Sequence, residues 1–174
     1  MVAWLLSEPK EGNVSPLESL LTTFVAVCQQ FYGDRLVSVA IFGSVGRGTP
    51  RPDSDIDALI VADGLPNGRL RRMDEFRAIE DALAPALAKT RSIGWHVELS
   101  PVLKTPAEIL HGSPLLLDMV DDARILYDRE SFFRRALAQF RSRLKKLHAR
   151  RIWSGDAWLW DLKPDYRVGE VFEL

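Results

Sequence analysis

Residues 42–61 read "FGSVGRGTPRPDSDIDALIV". Gly43, Ser44, Gly46, Arg47 and Gly48 crowd into one turn, and Asp55 and Asp57 stand two apart at the mouth of an apolar run. The apolar, β-branched stretches on either side predict two buried strands, one from about Leu36 to Phe42 and one over "IDALIVA" from Ile56. "RPDSD" between them is a loop by composition. The segment therefore reads as strand, glycine turn, loop, strand.

Outward from it, "SPLESLLTTFVAVCQQFYGDR" predicts a helix. Ser15 caps it, Pro16 suits its first turn, Glu18 completes a capping box and Gly33 ends it. Leu17, Leu20, Leu21, Phe24, Cys28 and Phe31 recur at helical spacing. After the turn "DGLPNG", Leu70 to Lys89 is a helix with Met73, Phe76, Leu83 and Leu87 on one side. Ile93 to Leu103 is a third strand. Thr105 and Ser113, each before a proline, start short helices, and "ARILYD" is a short strand or a helix end. A long helix runs from Ser131 to about Ile152. This order predicts an α/β (α+β) fold, a small mixed central sheet flanked by helices. The organisation expected is a lead-in over 1–14, a core domain over 15–128, and a C-terminal amphipathic helix with a Trp-rich tail over 129–174.

The 174 residues suit one domain, 47% hydrophobic and 27% charged, and a net charge of -1 gives no overall pull toward nucleic acid. The single cysteine, Cys28, allows no intrachain disulfide and sits in an apolar pattern, which suits a buried thiol and a reducing, cytoplasmic setting. No stretch approaches the roughly 20 apolar residues of a membrane span. "MVAWLLSEPKEG" lacks the basic start and apolar length of a signal peptide. His96, His111 and His148 are scattered, which gives no zinc spacing. The long helix has a seam of Phe133, Leu137, Phe140, Leu144 and Leu147. Across from it stand Arg134, Arg135, Arg141, Arg143, Lys145, Lys146 and Arg150. Such a helix can pack on its own domain with a solvated back, pair with a partner protein or a second copy, or track a nucleic-acid backbone. The lack of other nucleic-acid-reading elements speaks against the last. The tail with Trp153, Trp158 and Trp160 either folds back or docks on a partner.

In an extended chain residues i and i+2 share a face, so Asp55 and Asp57 project together while Ile56 enters the core. Two adjacent carboxylates resist joint ionisation, and a cation relieves them. Oxygen-only ligands suit Mg²⁺ or Mn²⁺, completed by waters and phosphates. The turn supplies a matching anion grip. Glycines let backbone N–H groups approach phosphate, the Ser44 hydroxyl can donate, and Arg47 offers a planar fork. No Gly-Lys-Ser/Thr follows the glycines, so this is not a P-loop, and the spacing is not that of a dinucleotide fingerprint.

"GSVGRGTPRPDSDID" resembles the signature of the DNA polymerase β-like nucleotidyltransferase superfamily: Gly-Ser, a spacer, then Asp-x-Asp. Its form is most similar to the minimal nucleotidyltransferases, small proteins often encoded beside a HEPN-domain partner as antitoxins. The likeness is close over residues 36–62 and looser to about residue 128. It implies the polymerase β-like fold, with Gly43, Ser44 and Arg47 on the nucleotide triphosphate. Asp55 and Asp57 would hold two divalent metals. A third carboxylate is implied on a later strand. Glu98 in "GWHVELSPVL" matches it, on one face with His96 and Ser100, although glutamate departs from the commoner aspartate; Asp53 is a weaker rival. The implied reaction moves NMP, most simply AMP from ATP, to a hydroxyl, with a HEPN-type partner toxin as a candidate acceptor and Glu98 as general base. The alternatives are a non-catalytic antitoxin-like binding module and a small-molecule adenylyltransferase of the antibiotic-modifying type. A homo-oligomer is also open.

Overall fold

A computed structural model describes residues 15–155 and 157–172. The expected lead-in over 1–14 lies outside the described residues. Helix α1 (Pro16–Tyr32) is followed by β1 (Leu36–Phe42), the one-turn helix α2 (Gly43–Gly46), β2 (Ile56–Ala62) and α3 (Arg69–Ser92). Next come β3 (Leu99–Lys104), α4 (Pro106–His111), α5 (Leu115–Met119), β4 (Arg124–Asp128) and α6 (Phe132–Lys146). A hairpin of β5 (Arg150–Ser154) and β6 (Ala157–Asp161) closes the sequence of elements.

The main sheet has the order β3-β2-β1-β4. β1 is antiparallel to both β2 and β4, and β2 is parallel to β3. A mixed sheet follows from the connections. The turn and loop over residues 43–55 reverse the chain so that β1 and β2 run antiparallel, whereas α3 is long enough to carry the chain back for a parallel β3. Both central strands are covered on both faces, which is why each reads as an apolar run broken by a single polar residue, Ser38 in β1 and Asp57 in β2. Ile56, Ala58 and Ile60 face a cluster built with α1 and α3; Leu59 and Val61 face a second cluster built with α5 and α6.

β3 is an edge strand, and its free edge is blunted. Pro101 has no N–H to offer, and Arg72 donates to the Leu103 carbonyl at 3.0 Å. Among the described residues no helix is long and apolar enough to cross a membrane.

Several expectations are corrected. The third strand begins at Leu99, not Ile93, because α3 runs on to Ser92 and Gly94 turns the chain with φ +89°. Residues 95–98 then lie beside the loop before β2, with His96 N–H donating to the Pro52 carbonyl and Ile56 N–H to the Glu98 carbonyl, each at 2.7 Å. The long helix stops at Lys146, and the aromatic stretch expected to trail it pairs as a hairpin: Ile152 opposes Leu159 and Trp153 opposes Trp158 across Gly155. The hairpin folds back, with Trp160 and Leu162 packed on the second cluster. The capping box at Ser15 is only half formed. Ser15 Oγ accepts from Glu18 N–H at 3.2 Å, but the Glu18 carboxylate grips Arg124 at 2.5 and 2.6 Å. The complete box belongs to Thr105 and Glu108 on α4.

The start of α6 is held from outside the helix. Ser131 precedes it with φ +55° and makes no side-chain cap. The Asp128 carboxylate takes its place, accepting from Phe133 N–H at 2.8 Å and Arg134 N–H at 3.1 Å. The same Oδ1 accepts from the buried Ser38 hydroxyl at 2.7 Å, which ties helix, β4 and β1 together. Replacing Asp128 removes a cap and orphans a buried hydroxyl. Asp128→Ala should therefore lower the unfolding free energy by about 2–3 kcal/mol, read from a urea titration.

Candidate active site

The sheet brings the two ends of the glycine-rich stretch together. Phe42, the last residue of β1, pairs with Asp57, and Asp57 pairs on its other side with Ser100 of β3. Ile56 is fully buried while Asp55 is exposed and Asp57 half-buried, so both carboxylates lie on the side away from Ile56. This is also the side of Leu59 and Val61, facing the α5/α6 cluster.

The glycine turn is pressed onto Asp57. A Cβ added at Gly43 would lie 2.2 Å from Asp57 Oδ2, and Gly43 itself has φ +65°. No L side chain meets both demands cheaply. Gly46 is as confined: an added Cβ would meet the carbonyl oxygens of Ile41 and Asp122 at 2.8 Å each. The Ser44 carbonyl accepts from Thr49 N–H at 2.9 Å and so closes the turn. The Ser44 hydroxyl has no hydrogen-bond partner among the described residues and stays free to donate.

The electrostatics explain what this crowding does. Burial pushes the Asp57 carboxyl above the usual carboxylate range, and the charge of Asp55 adds to the push. A hydrogen bond from Ser100 and the charge of Arg47 pull the other way. Asp118, exposed on α5, raises it further. Sequence reading missed Asp118; its one signal is that it is the sole acid in the apolar run "PLLLDM". Asp55 and Asp57 together are a hard, oxygen-only donor pair whose repulsion Ser100 and Arg47 offset only in part, and they fit a divalent cation of the Mg²⁺ type.

Glu98 is exposed and lies one residue before Leu99, in line with Asp55 across the β2–β3 pairing. The structure does not gather it into a three-membered group with the two aspartates: among the described residues no three His, Cys, Asp or Glu side chains come together to hold a metal. Asp53 is exposed in the loop.

Arg47 lies 3.8 Å from the Asp122 carboxylate, and its guanidinium sits 4.8 Å from the ring centre of Trp158. Asp122 does not stand out in the sequence, and Trp158 stands out only as part of the Trp-rich tail. They reach the turn from beyond α5 and from the terminal hairpin.

An open cleft of about 480 Å³ lies elsewhere, along the β3 edge between Arg69, Arg72, Lys104 and Glu108. Arg72 is consumed there by the Pro66 and Leu103 carbonyls and by Glu108, whose carboxyl its hydrogen bond holds down at about 2. The cleft carries no counterpart of the paired aspartates.

With this geometry in view, the comparisons agree on the class. The nucleotidyltransferase domain family matches residues 21–127. A Methanocaldococcus jannaschii protein, named provisionally as a protein adenylyltransferase, is 30% identical over 133 residues, covering 75% of this chain and 85% of its own. The chain belongs to the nucleotidyltransferase domain family and is a transferase. Among solved structures, spectinomycin adenyltransferase AAD(9) from Enterococcus faecialis with ATP and spectinomycin shares the fold, with a TM-score of 0.50, 12% identity and coverage of 74% of this chain and 66% of that one. A toxin–antitoxin structure with AMP-PNP aligns at a TM-score of 0.43 and 18% identity, over 74% and 92% of the two chains.

A carboxyl whose pKa is raised in the folded state contributes stability below the ordinary carboxylate range and loses it as the pH rises through the raised value. At neutral pH the ionised Asp57 therefore weakens the fold. Asp57→Asn should raise the melting temperature at pH 7 by roughly a few degrees, and the gain should vanish near pH 3, as read by calorimetry at both pH values.

Proposed function

We propose that this nucleotidyltransferase moves AMP from ATP to a hydroxyl on a protein acceptor, with Mg²⁺ or Mn²⁺ held by Asp55 and Asp57. The observation that carries the reading is the contact between the two halves of the motif: the Gly43 backbone lies against the carboxylate of Asp57. A phosphate on the turn would thus stand next to a metal on the aspartates. The protein acceptor is supported by the 30%-identical relative named as a protein adenylyltransferase. The HEPN-type toxin as acceptor is supported by the form of the motif itself.

The roles follow from the chemistry present. Gly43 backbone, the free Ser44 hydroxyl and Arg47 bind and orient the triphosphate, with the α-phosphorus toward the aspartates. The acceptor oxygen forms a new bond to the α-phosphorus, its proton leaves, and the bond to the β-phosphate oxygen breaks to release pyrophosphate. The divalent cations, when bound, neutralise charge on the attacking and leaving oxygens. Glu98 is assigned as proton acceptor and third carboxylate. Asp118, whose charge Asp57 feels from α5, is its competitor for that role. Cys28 takes no part: burial pushes its thiol to about 12, which leaves it protonated and unreactive and suits a reducing, cytoplasmic setting.

The test is incubation with Mg²⁺ and α-labelled ATP, with and without lysate of the source cells, with Asp55→Ala/Asp57→Ala as control. A labelled product of protein size that is lost in the control is expected. A small labelled product would replace the protein acceptor with a small molecule. No label, alongside a stably bound protein partner, would overturn the catalytic reading in favour of binding alone. Glu98→Gln should lower the transfer rate by about 100-fold or more if it is the base, with Asp118→Asn nearly silent; the reverse pattern would move the assignment to Asp118. Millimolar Mg²⁺ should raise the melting temperature of the wild type and leave Asp57→Asn unmoved.

A further inference from the structure

Beside the glycine turn two guanidinium groups face one carboxylate. Arg151, from β5, takes Asp122 at 2.6 and 3.4 Å through its two terminal nitrogens. Arg47, from the turn, lies 3.8 Å from the same carboxylate, beyond hydrogen-bond range. Trp158 of β6 meets both cations, with ring-centre distances of 4.8 Å to Arg47 and 4.0 Å to Arg151. Trp153, opposite Trp158 in the hairpin, lies 5.2 Å from it and 4.8 Å from Arg151. The Arg151 and Asp122 side chains are only 13% and 15% exposed, so this anchor is screened from water.

The backbone makes the second link. The Asp122 carbonyl abuts Gly46 so closely that a Cβ would come within 2.8 Å of it. The terminal hairpin is thereby fixed, through Arg151 and Asp122, to the residue that braces the turn.

We propose that the β5–β6 hairpin is a positioning element of the nucleotide site, in which Trp158 aims the Arg47 guanidinium and the Arg151–Asp122 pair locks Trp158 in place. The inference rests on the reading of Arg47 as a phosphate-binding residue. An aromatic ring holds a guanidinium by its face and leaves the N–H edge free for phosphate. A carboxylate in direct contact would take those donors instead. Here Asp122 is occupied by Arg151, so Arg47 is oriented without being consumed. Trp158 touches no reacting atom in this account; it acts through Arg47.

The test separates the aromatic face from mere bulk. Binding of a fluorescent ATP analogue with Mg²⁺, and KM and kcat for ATP, would be measured for Trp158→Leu and Trp158→Phe. Trp158→Leu should raise the analogue's Kd and the KM by about three- to tenfold, with kcat within about twofold. Trp158→Phe should stay within about twofold of wild type on all three. In an Arg47→Ala background, Trp158→Leu should add nothing further. Should Trp158→Leu lose its cooperative melt, Arg151→Gln, which keeps the tryptophan ring but releases it from its lock, should give the same rise in Kd. Equal losses for Leu and Phe, or a Trp158→Leu loss that persists in full without Arg47, would overturn the proposal. Arg47→Ala binding the analogue like wild type would sink the phosphate reading of Arg47 and this inference with it. Weakened binding in Arg47→Ala beside unchanged binding in Trp158→Leu would sink this inference alone.

Discussion

The Asp57 carboxylate and the Gly43 backbone occupy space that leaves no room for a side chain between them. A Cβ at position 43 would lie 2.2 Å from Asp57 Oδ2. That contact is possible only because Phe42 and Asp57 are paired residues of neighbouring antiparallel strands, and the pairing holds only while both strands stay buried on both faces. Register is the critical variable. A slip of one residue would turn Asp57 into the α1/α3 core and bring Ile56 out to the turn. The apolar runs of β1 and β2 thus hold the site's geometry as well as the fold, and the fold offsets the cost of an ill-placed, half-buried carboxylate.

Burial explains which parts of this were legible in the chain. β1 and β2 run over the residues their apolar content indicates, because a strand covered on both faces announces itself by composition and is stopped by the glycine turn, the aspartates and "DGLPNG". The pairing of Asp55 with Asp57 follows from strand geometry alone. Alternation in 93–98 looks the same whether or not a neighbour strand is there, and only the run of α3 to Ser92 confines β3 to Leu99–Lys104. The apolar seam continues through Leu147 into Ile152 and so suggests a longer helix than α6, which stops at Lys146 before His148 at φ +55° and the cross-strand tryptophans. Glu18 fits a capping box locally, yet a bidentate arginine more than a hundred residues away offers a stronger hydrogen bond than the backbone amide does. Asp118 and Asp122 reach the turn only through tertiary packing, so no spacing rule could find them.

Because Asp57 shares a face with Leu59 and Val61, the groups outside the glycine turn that approach the site come from the C-terminal half of the chain. α5 brings Asp118, the segment before β4 brings Asp122, and the hairpin brings Arg151 and Trp158. The α1/α3 face has no such access. It carries the larger share of the apolar core and leaves the opposite face for chemistry. The basic helix α6 fits this division. Its seam of Phe133, Leu137, Phe140 and Leu144 is buried in the site-side cluster, so packing within its own domain accounts for the apolar periodicity without a partner.

The charges around the turn show why the terminal hairpin matters to the site. Asp55, Asp57 and Asp118 make the aspartate side of the turn acidic, and the nearby cations, Arg47 and Arg151, come from different parts of the chain. Without Arg151, Asp122 would be free to close on Arg47 and take up its donors. With Arg151 seated at 2.6 Å, Asp122 is satisfied, and Arg47 keeps its charge and its donors within electrostatic reach of Asp57. The hairpin therefore decides the net sign of the glycine turn. A two-stranded ribbon of this size is marginal by itself. It is held in place by packing of Trp160 and Leu162 on the site-side cluster and by the ion pair that sets the turn's charge. Stability of the ribbon and polarity of the turn are one interaction seen from two ends.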